Sequence, residues 1–117
     1  MDLSLSDYSA GDATVVVVAG EIDLDTAPAL RAELLRLLHA GRARLILDFS
    51  AVSFLDSSGL GALIGARRRA QLTGTRVELA APSDRVLEVL RLTALDRVFP
   101  VHASVADALA APPDDPS

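Results

Sequence analysis

The sequence predicts a single α/β domain with a largely parallel or mixed sheet. Three observations carry that prediction. Short β-branched or alternating segments are interspersed with stretches whose leucines keep helical spacing. Their order is two strands, then helix and strand in turn, then a closing helix, which is the pattern of layered α/β proteins. A length of 117 residues suits one domain, and a domain of this size hides roughly two thirds of its unfolded surface without staples. Half of the residues are apolar but only 3% are aromatic, so Ala, Val, Leu and Ile must build the core.

Each element has its own signal. Leu3 and Leu5 alternate with Ser4 and Ser6, which predicts a half-buried strand. Ala10-Gly11-Asp12 is a turn, and Thr14 to Ala19 is a β-branched run short enough for a buried strand, so a hairpin is expected. Gly20 to Asp25 is expected to be a loop. Asp25 or Thr26 then caps a first helix, with Pro28 in the first turn, where a missing N–H costs little. Leu30, Leu34, Leu37 and Leu38 keep its spacing and Gly41 stops it. Arg44 to Phe49 is the third strand, and Ser50 to Asp56 connects it to a second helix. That helix carries Leu60, Leu63 and Ile64 on one face, then Arg67-Arg68-Arg69, and ends at Gly74. Arg76 to Ala80 alternates polar and apolar residues as a strand does. Pro82-Ser83 opens a third helix with Val86, Leu87, Val89 and Leu90 apolar. Val98 to Val101 is a short last strand that Pro100 consigns to an edge. Ser104 with Asp107 is a capping-box pattern for a last short helix. The domain is expected to span 1–110, with a flexible Pro- and Asp-rich tail over 111–117.

Composition excludes several functions. There is no cysteine, hence no disulfide scaffold, thiol nucleophile or Cys-based metal site. The longest apolar run, Val15 to Ala19, falls far short of the roughly 20 residues of a membrane span. The opening residues, Leu alternating with Ser and Asp, are unlike a signal peptide. A soluble, cytoplasmic protein without direct membrane insertion is expected. The net charge is −5 and all eleven basic residues are Arg. That acidic balance argues against nucleic acid as a partner, and Arg67-Arg68-Arg69 reads as a solvated helix face. The absence of Lys removes a Walker A loop. His39, just before Gly41, reads as a partner for the helix dipole.

Core packing explains Leu55-Asp56-Ser57-Ser58-Gly59-Leu60-Gly61 least well. It sets two hydroxyls beside a carboxylate at a helix start, with Asp56 or Ser57 as the cap. A phosphate there would meet free N–H groups and a favourable dipole, opposed by Asp56. Gly59, Gly61 and Gly65 each cost about 1 kcal/mol relative to Ala and need a reason. Either Gly61 and Gly65 let the helix pack closely on its own sheet, or they leave a low surface where a partner or modifying enzyme approaches. The segment Glu21 to Asp25 is a second strand-to-helix loop. If both preceding strands run the same way, Asp23 and Ser58 share a surface. Catalysis fits poorly. Neither serine sits in the Gly-x-Ser-x-Gly nucleophile elbow, and nothing aims His39 or His102 at Ser58. Asp23, Asp25, Asp48 and Asp56 near strand ends suggest a magnesium site of the receiver type, but such domains also use a Lys. No catalytic residue, metal or cofactor is expected.

The stretch Asp48-Phe49-Ser50-Ala51-Val52-Ser53-Phe54 followed by Leu55 to Gly61 closely resembles the signature of STAS domains, above all the bacterial anti-sigma-factor antagonists (anti-anti-sigma factors). Gly20 to Pro28 resembles their other motif, as does Leu92 to Pro100, so the resemblance covers nearly the whole chain. It implies a STAS-like fold with a mixed sheet of about four to five strands and about four helices. It also implies partner switching. An anti-sigma factor that is itself a serine kinase binds the antagonist and releases a sigma factor. Phosphorylation then ends the binding, and a PP2C-type phosphatase resets it. The family's phosphorylated serine is the second of the pair, here Ser58, with Ser57 the alternative. Asp23 matches an acidic position that helps engage the kinase, and Asp56, Ser57, Ser58, Gly59, Leu60 and Gly61 form the rest of the binding surface. STAS domains also serve as accessory subunits of membrane lipid or anion transport systems and in multi-STAS signalling complexes, which is the alternative function.

Overall fold

β1 (Leu3–Ala10) and β2 (Ala13–Ile22) form the expected hairpin around Gly11, whose φ of +63° suits a residue without Cβ. The computed structural model, which describes residues 2–111, continues with α1 (Ala27–His39), β3 (Arg44–Leu55), α2 (Ser57–Thr73), β4 (Arg76–Ala80), α3 (Asp84–Leu92), β5 (Val101–His102) and α4 (Val105–Ala110). The tail expected over 111–117 lies, from 112 onward, outside the described residues.

The strands lie in sequence order, β1 antiparallel to β2 and the other neighbours parallel. Every crossover therefore steps the same way across the sheet, and right-handed crossovers then place their helices on one face. Leu30 and Leu34 of α1, Leu63 of α2 and Leu90 of α3 close over Val16, Leu47 and Leu79 in one core. On the opposite face Ala108 of α4 meets Val15, Ile46 and Ala80. Thr26, at the start of α1, makes no side-chain cap bond to the helix. Burial compensates. Leu30, Leu34, Leu37 and Leu38 are buried, each contributing about 1.5–3 kcal/mol, against about 1 kcal/mol for a cap.

Two strands run further than the sequence predicts. β2 continues past Ala19 and β3 past Phe49, so the expected loop at Gly20–Asp25 and connection at Ser50–Asp56 are largely ladder. Ala19 pairs with Ala51, Gly20 with Val52 and Ile22 with Leu55. Register shifts between Val17 and Ala19 and between Gly20 and Glu21 break the alternation that would have marked these residues as strand. The last strand is shorter than expected over Val98–Val101. The N–H groups of Val98 and Phe99 bond back to Leu95 in a 3-10 turn, leaving Val101 and His102 paired. Pro100 has no N–H to give the ladder but offers its carbonyl to Leu79 at 2.9 Å. β5 is a sheet edge.

The alternation of Arg76–Ala80 marks β4 correctly, yet Glu78 is buried, because α4 lies over that face. Arg44 Nε and Nη2 donate to its two carboxylate oxygens at 2.7 and 2.8 Å, and Arg44 Nη2 also donates to the Ala108 carbonyl. His102 Nε2 lies 2.8 Å from Glu78 Oε1, and Arg76 Nε lies 3.3 Å from Oε2. Burial pushes the Glu78 carboxyl up, but the hydrogen bonds from Arg44 and His102 outweigh it and hold the group below its ordinary value.

Candidate functional site

Ile22 pairs with Leu55 across the parallel ladder, so the chain leaves both strands at one level. The Asp56 N–H donates to the Ile22 carbonyl at 3.2 Å, which sets the start of α2 against the β2–α1 loop. Asp23 and the Asp56–Gly61 turn thus share one edge of the sheet.

Asp56, rather than Ser57, caps α2. Its Oδ1 accepts from the N–H groups of Ser58 at 2.9 Å and Gly59 at 3.2 Å. An anion at this helix end would need those same N–H groups, so the phosphate cradle suggested by the sequence is already filled by a carboxylate. Ser57 is exposed and Ser58 half-buried. No hydrogen bond among the described residues uses either hydroxyl. In the neighbouring loop, Asp23 Oδ1 accepts from the N–H groups of Asp25 at 3.0 Å and Thr26 at 3.1 Å. The Thr26 hydroxyl donates to the Glu21 carbonyl and accepts from the Asp23 N–H. The Thr26 N–H is the main reason the Asp23 carboxyl sits below its ordinary value. Partial burial opposes it and the Asp25 N–H adds to it. Asp23 is therefore an anion at neutral pH, with one oxygen holding the loop and Oδ2 in no hydrogen bond among the described residues.

The glycines divide differently from the close packing considered for Gly61 and Gly65. A Cβ on Gly59 would stand 2.5 Å from Leu55 Cδ1 and 2.6 Å from Ile22 Cγ2, so Gly59 is the residue that seats α2 on the strand ends. It is buried and offers a partner nothing directly. A Cβ on Gly61 or Gly65 would meet nothing within 4 Å. Leu60 is half-buried and packs on the core. Gly61 and Ser58 line a hollow of about 390 Å³ between α1 and α2, together with Leu24, Ala27, Pro28 and Arg31. Leu24 is 74% exposed beside it. Leu24 and Arg31 escaped the sequence reading. A leucine between two aspartates in a loop was the one signal available.

Asp48 Oδ1 accepts from the Ser50 N–H at 3.0 Å, so Asp23, Asp48 and Asp56 each commit an oxygen to local backbone. No group of three or more His, Asp or Glu placed to hold a metal ion occurs among the described residues. His102 is on β5 against Glu78. No helix among the described residues is long and apolar enough to cross a membrane.

The model of the STAS domain family matches residues 5–108. Among related proteins, the anti-sigma-B factor antagonist of Bacillus subtilis (strain 168) is 34% identical over 88 residues, 75% of this chain and 80% of that protein. Among solved structures, an anti-sigma factor antagonist from Mycobacterium paratuberculosis superposes with a TM-score of 0.79 at 34% identity, covering 93% of this chain and 92% of that one. The anti-sigma factor antagonist SpoIIAA in its unphosphorylated form superposes with a TM-score of 0.76 at 26% identity, covering 92% of this chain and 93% of that one. A match that starts within β1, ends within α4 and takes in both strand-to-helix loops means that the chain belongs to the STAS domain family.

Proposed function

We propose that this protein is an anti-sigma factor antagonist whose binding is switched by phosphorylation of Ser58. The observation that carries the reading is the shared sheet edge, which brings the Asp23 loop and the Asp56–Gly61 turn to one level and sets the exposed Leu24 in the same hollow as Ser58. The names of the relatives, which are anti-sigma factor antagonists, support it. In this reading the unphosphorylated protein holds an anti-sigma factor through Asp23, Asp56, Ser57, Ser58, Leu60 and Gly61, with Gly59 seating the helix. A sigma factor is thereby freed. The partner is also the serine kinase. It transfers the γ-phosphoryl group of ATP to Ser58 Oγ, taking up the hydroxyl proton and releasing ADP, so this chain is a substrate and performs no catalysis. A PP2C-type phosphatase removes the phosphate.

The local chemistry suits such a cycle. Asp56 caps the helix alone, so modifying Ser58 breaks no hydrogen bond of the fold. A phosphate adds about −1.5 to −2 charges. It enters beside two carboxylates, and the N–H groups that would have soothed it are occupied. Closing a partner over that charge costs several kcal/mol unless the charge is paired. About 5.5 kcal/mol of differential affinity takes a complex from 99:1 bound to 1:99. One phosphate therefore suffices without refolding.

Intact-mass measurement after incubation with the cognate kinase and ATP tests the assignment. Ser58→Ala is expected to stay unmodified while still binding the kinase, and Ser57→Ala to gain one phosphate. A Ser58→Ala protein phosphorylated at the parent's rate would overturn it.

A further inference from the structure

The groove between α1 and α2 does not end at Ser58. Arg31 stands between two hollows and lines both. The second, about 510 Å³, runs toward the C-terminal ends of the helices and is also lined by Leu35, Gly65, Arg68, Arg69 and Leu72. Bare backbone at Gly61 and Gly65 opens the α2 side over its length. From Ser58 to Leu72 the helix rises about 21 Å. Leu24 at one end and Leu72 at the other are 74% and 79% exposed.

The groove is polarised. Asp23 and Asp56 lie on the sheet edge from which its Ser58 end starts. Arg31 stands at its middle and Arg68 and Arg69 at its other end, and no carboxylate lines either hollow, in a chain of net charge −5. None of these three arginines is in an ion pair among the described residues, whereas Arg36, on another side of α1, binds Glu33 and Asp7. A helix-dipole role does not account for Arg68 and Arg69, since they stand before the last turn of α2, which holds no basic residue. Helical geometry splits the Arg67–Arg69 run. Arg67 turns toward Val98 and Pro100, and only Arg68 and Arg69 face the groove.

We propose that this cationic half of the groove receives an acidic segment of the same partner protein that engages Ser58, with an apolar side chain resting on Leu72. The inference rests on the antagonist reading and extends it. The serine end carries the switch, and the arginine end selects and orients the partner. Charges at such a rim act mainly on association rate and on rejection of wrong partners. The surface thus separates one anti-sigma factor from another by whether it presents carboxylates about three helical turns from the serine it phosphorylates.

The test uses purified anti-sigma kinases from the organism that carries this protein, titrated by surface binding kinetics at low and high salt. The analytes are the parent, Arg68→Glu/Arg69→Glu and Gly65→Leu. The first variant reverses exposed charges. The second fills open space and improves helix propensity, so neither is expected to fall below the parent's thermal midpoint. Charge reversal is expected to slow association about tenfold or more at low salt and to remove most of its salt dependence. Gly65→Leu is expected to weaken binding at both salts. If the parent binds a kinase and both variants bind it equally well, the groove is not used and the inference falls while the antagonist reading stands. If the parent binds no such kinase, the antagonist reading itself fails and takes the inference with it. If the parent sediments as a dimer that charge reversal splits, the groove is a contact between copies of this chain and the inference is overturned.

Discussion

Asp56 and Ser58 stand two residues apart, and only the first has a side chain committed to the fold by hydrogen bonds. Asp56 Oδ1 accepts from two N–H groups at the start of α2, while the Ser58 hydroxyl is in no hydrogen bond among the described residues. Asp56→Ala is expected to lower stability by about 1 kcal/mol, read as a lower urea midpoint at unchanged slope. Ser58→Ala is expected to stay within about 0.5 kcal/mol of the parent. The opposite ranking would mean that the serine, not the aspartate, holds the turn. Asp23 shows the same economy within one side chain, with Oδ1 on the loop backbone and Oδ2 in no hydrogen bond among the described residues. Both aspartates and both serines were legible as residue types, but which of them capped the helix depended on geometry.

At the scale of the element, α2 owes its position to Gly59 and its accessible face to Gly61 and Gly65. A methyl group on Gly59 presses on Ile22, whose β-branched side chain has little room to turn, and on buried Leu55. Gly59→Ala is expected to cost about 1–3 kcal/mol through overpacking. Gly61→Ala meets open space and is expected to gain up to about 1 kcal/mol from helix propensity. Chemical denaturation of the two variants checks the pair, and equal effects would show that both glycines serve the same purpose. Three glycines in seven residues announced that something must come close. Helical phase alone could not say that one faces the protein's own strands and the others face outward.

Across the whole molecule, the sequential strand order leaves no point where the sheet reverses direction, and so no switch-point crevice of the kind that holds ligands in doubly wound folds. The site is an edge surface, in keeping with a protein that meets another protein. The opposite face is closed by the Arg44–Glu78–His102 cluster, which joins β3, β4, β5 and, through the Ala108 carbonyl, α4. Replacing such a pair by apolar groups is often neutral, but removing one member strands the other. Glu78→Ala is expected to cost about 3–5 kcal/mol. The folded Glu78 carboxyl lies below its ordinary value of 4.5. Its stabilisation is therefore fully present above that value and is lost as pH falls through the lower folded one. Urea midpoints measured down through the acid range are expected to fall across that window in the parent and to fall less steeply in Glu78→Gln. An acid limb unchanged by Glu78→Gln would mean that other carboxylates set it.

By itself the sequence determined the element order, the single layered α/β core and the identity of the serine turn, because these rest on local periodicity, turn chemistry and capping residues close together in the chain. It could not decide the length of β2 and β3, where register shifts and cross-strand pairing make strand out of residues that read as loop. It could not place Glu78, Arg44 and His102 together, because their meeting depends on parallel registers and on which face α4 covers. Nor could it join Leu24, Arg31 and Ser58 in one hollow. That took two helices starting at the same sheet edge, a consequence of parallel strands ending at the same level.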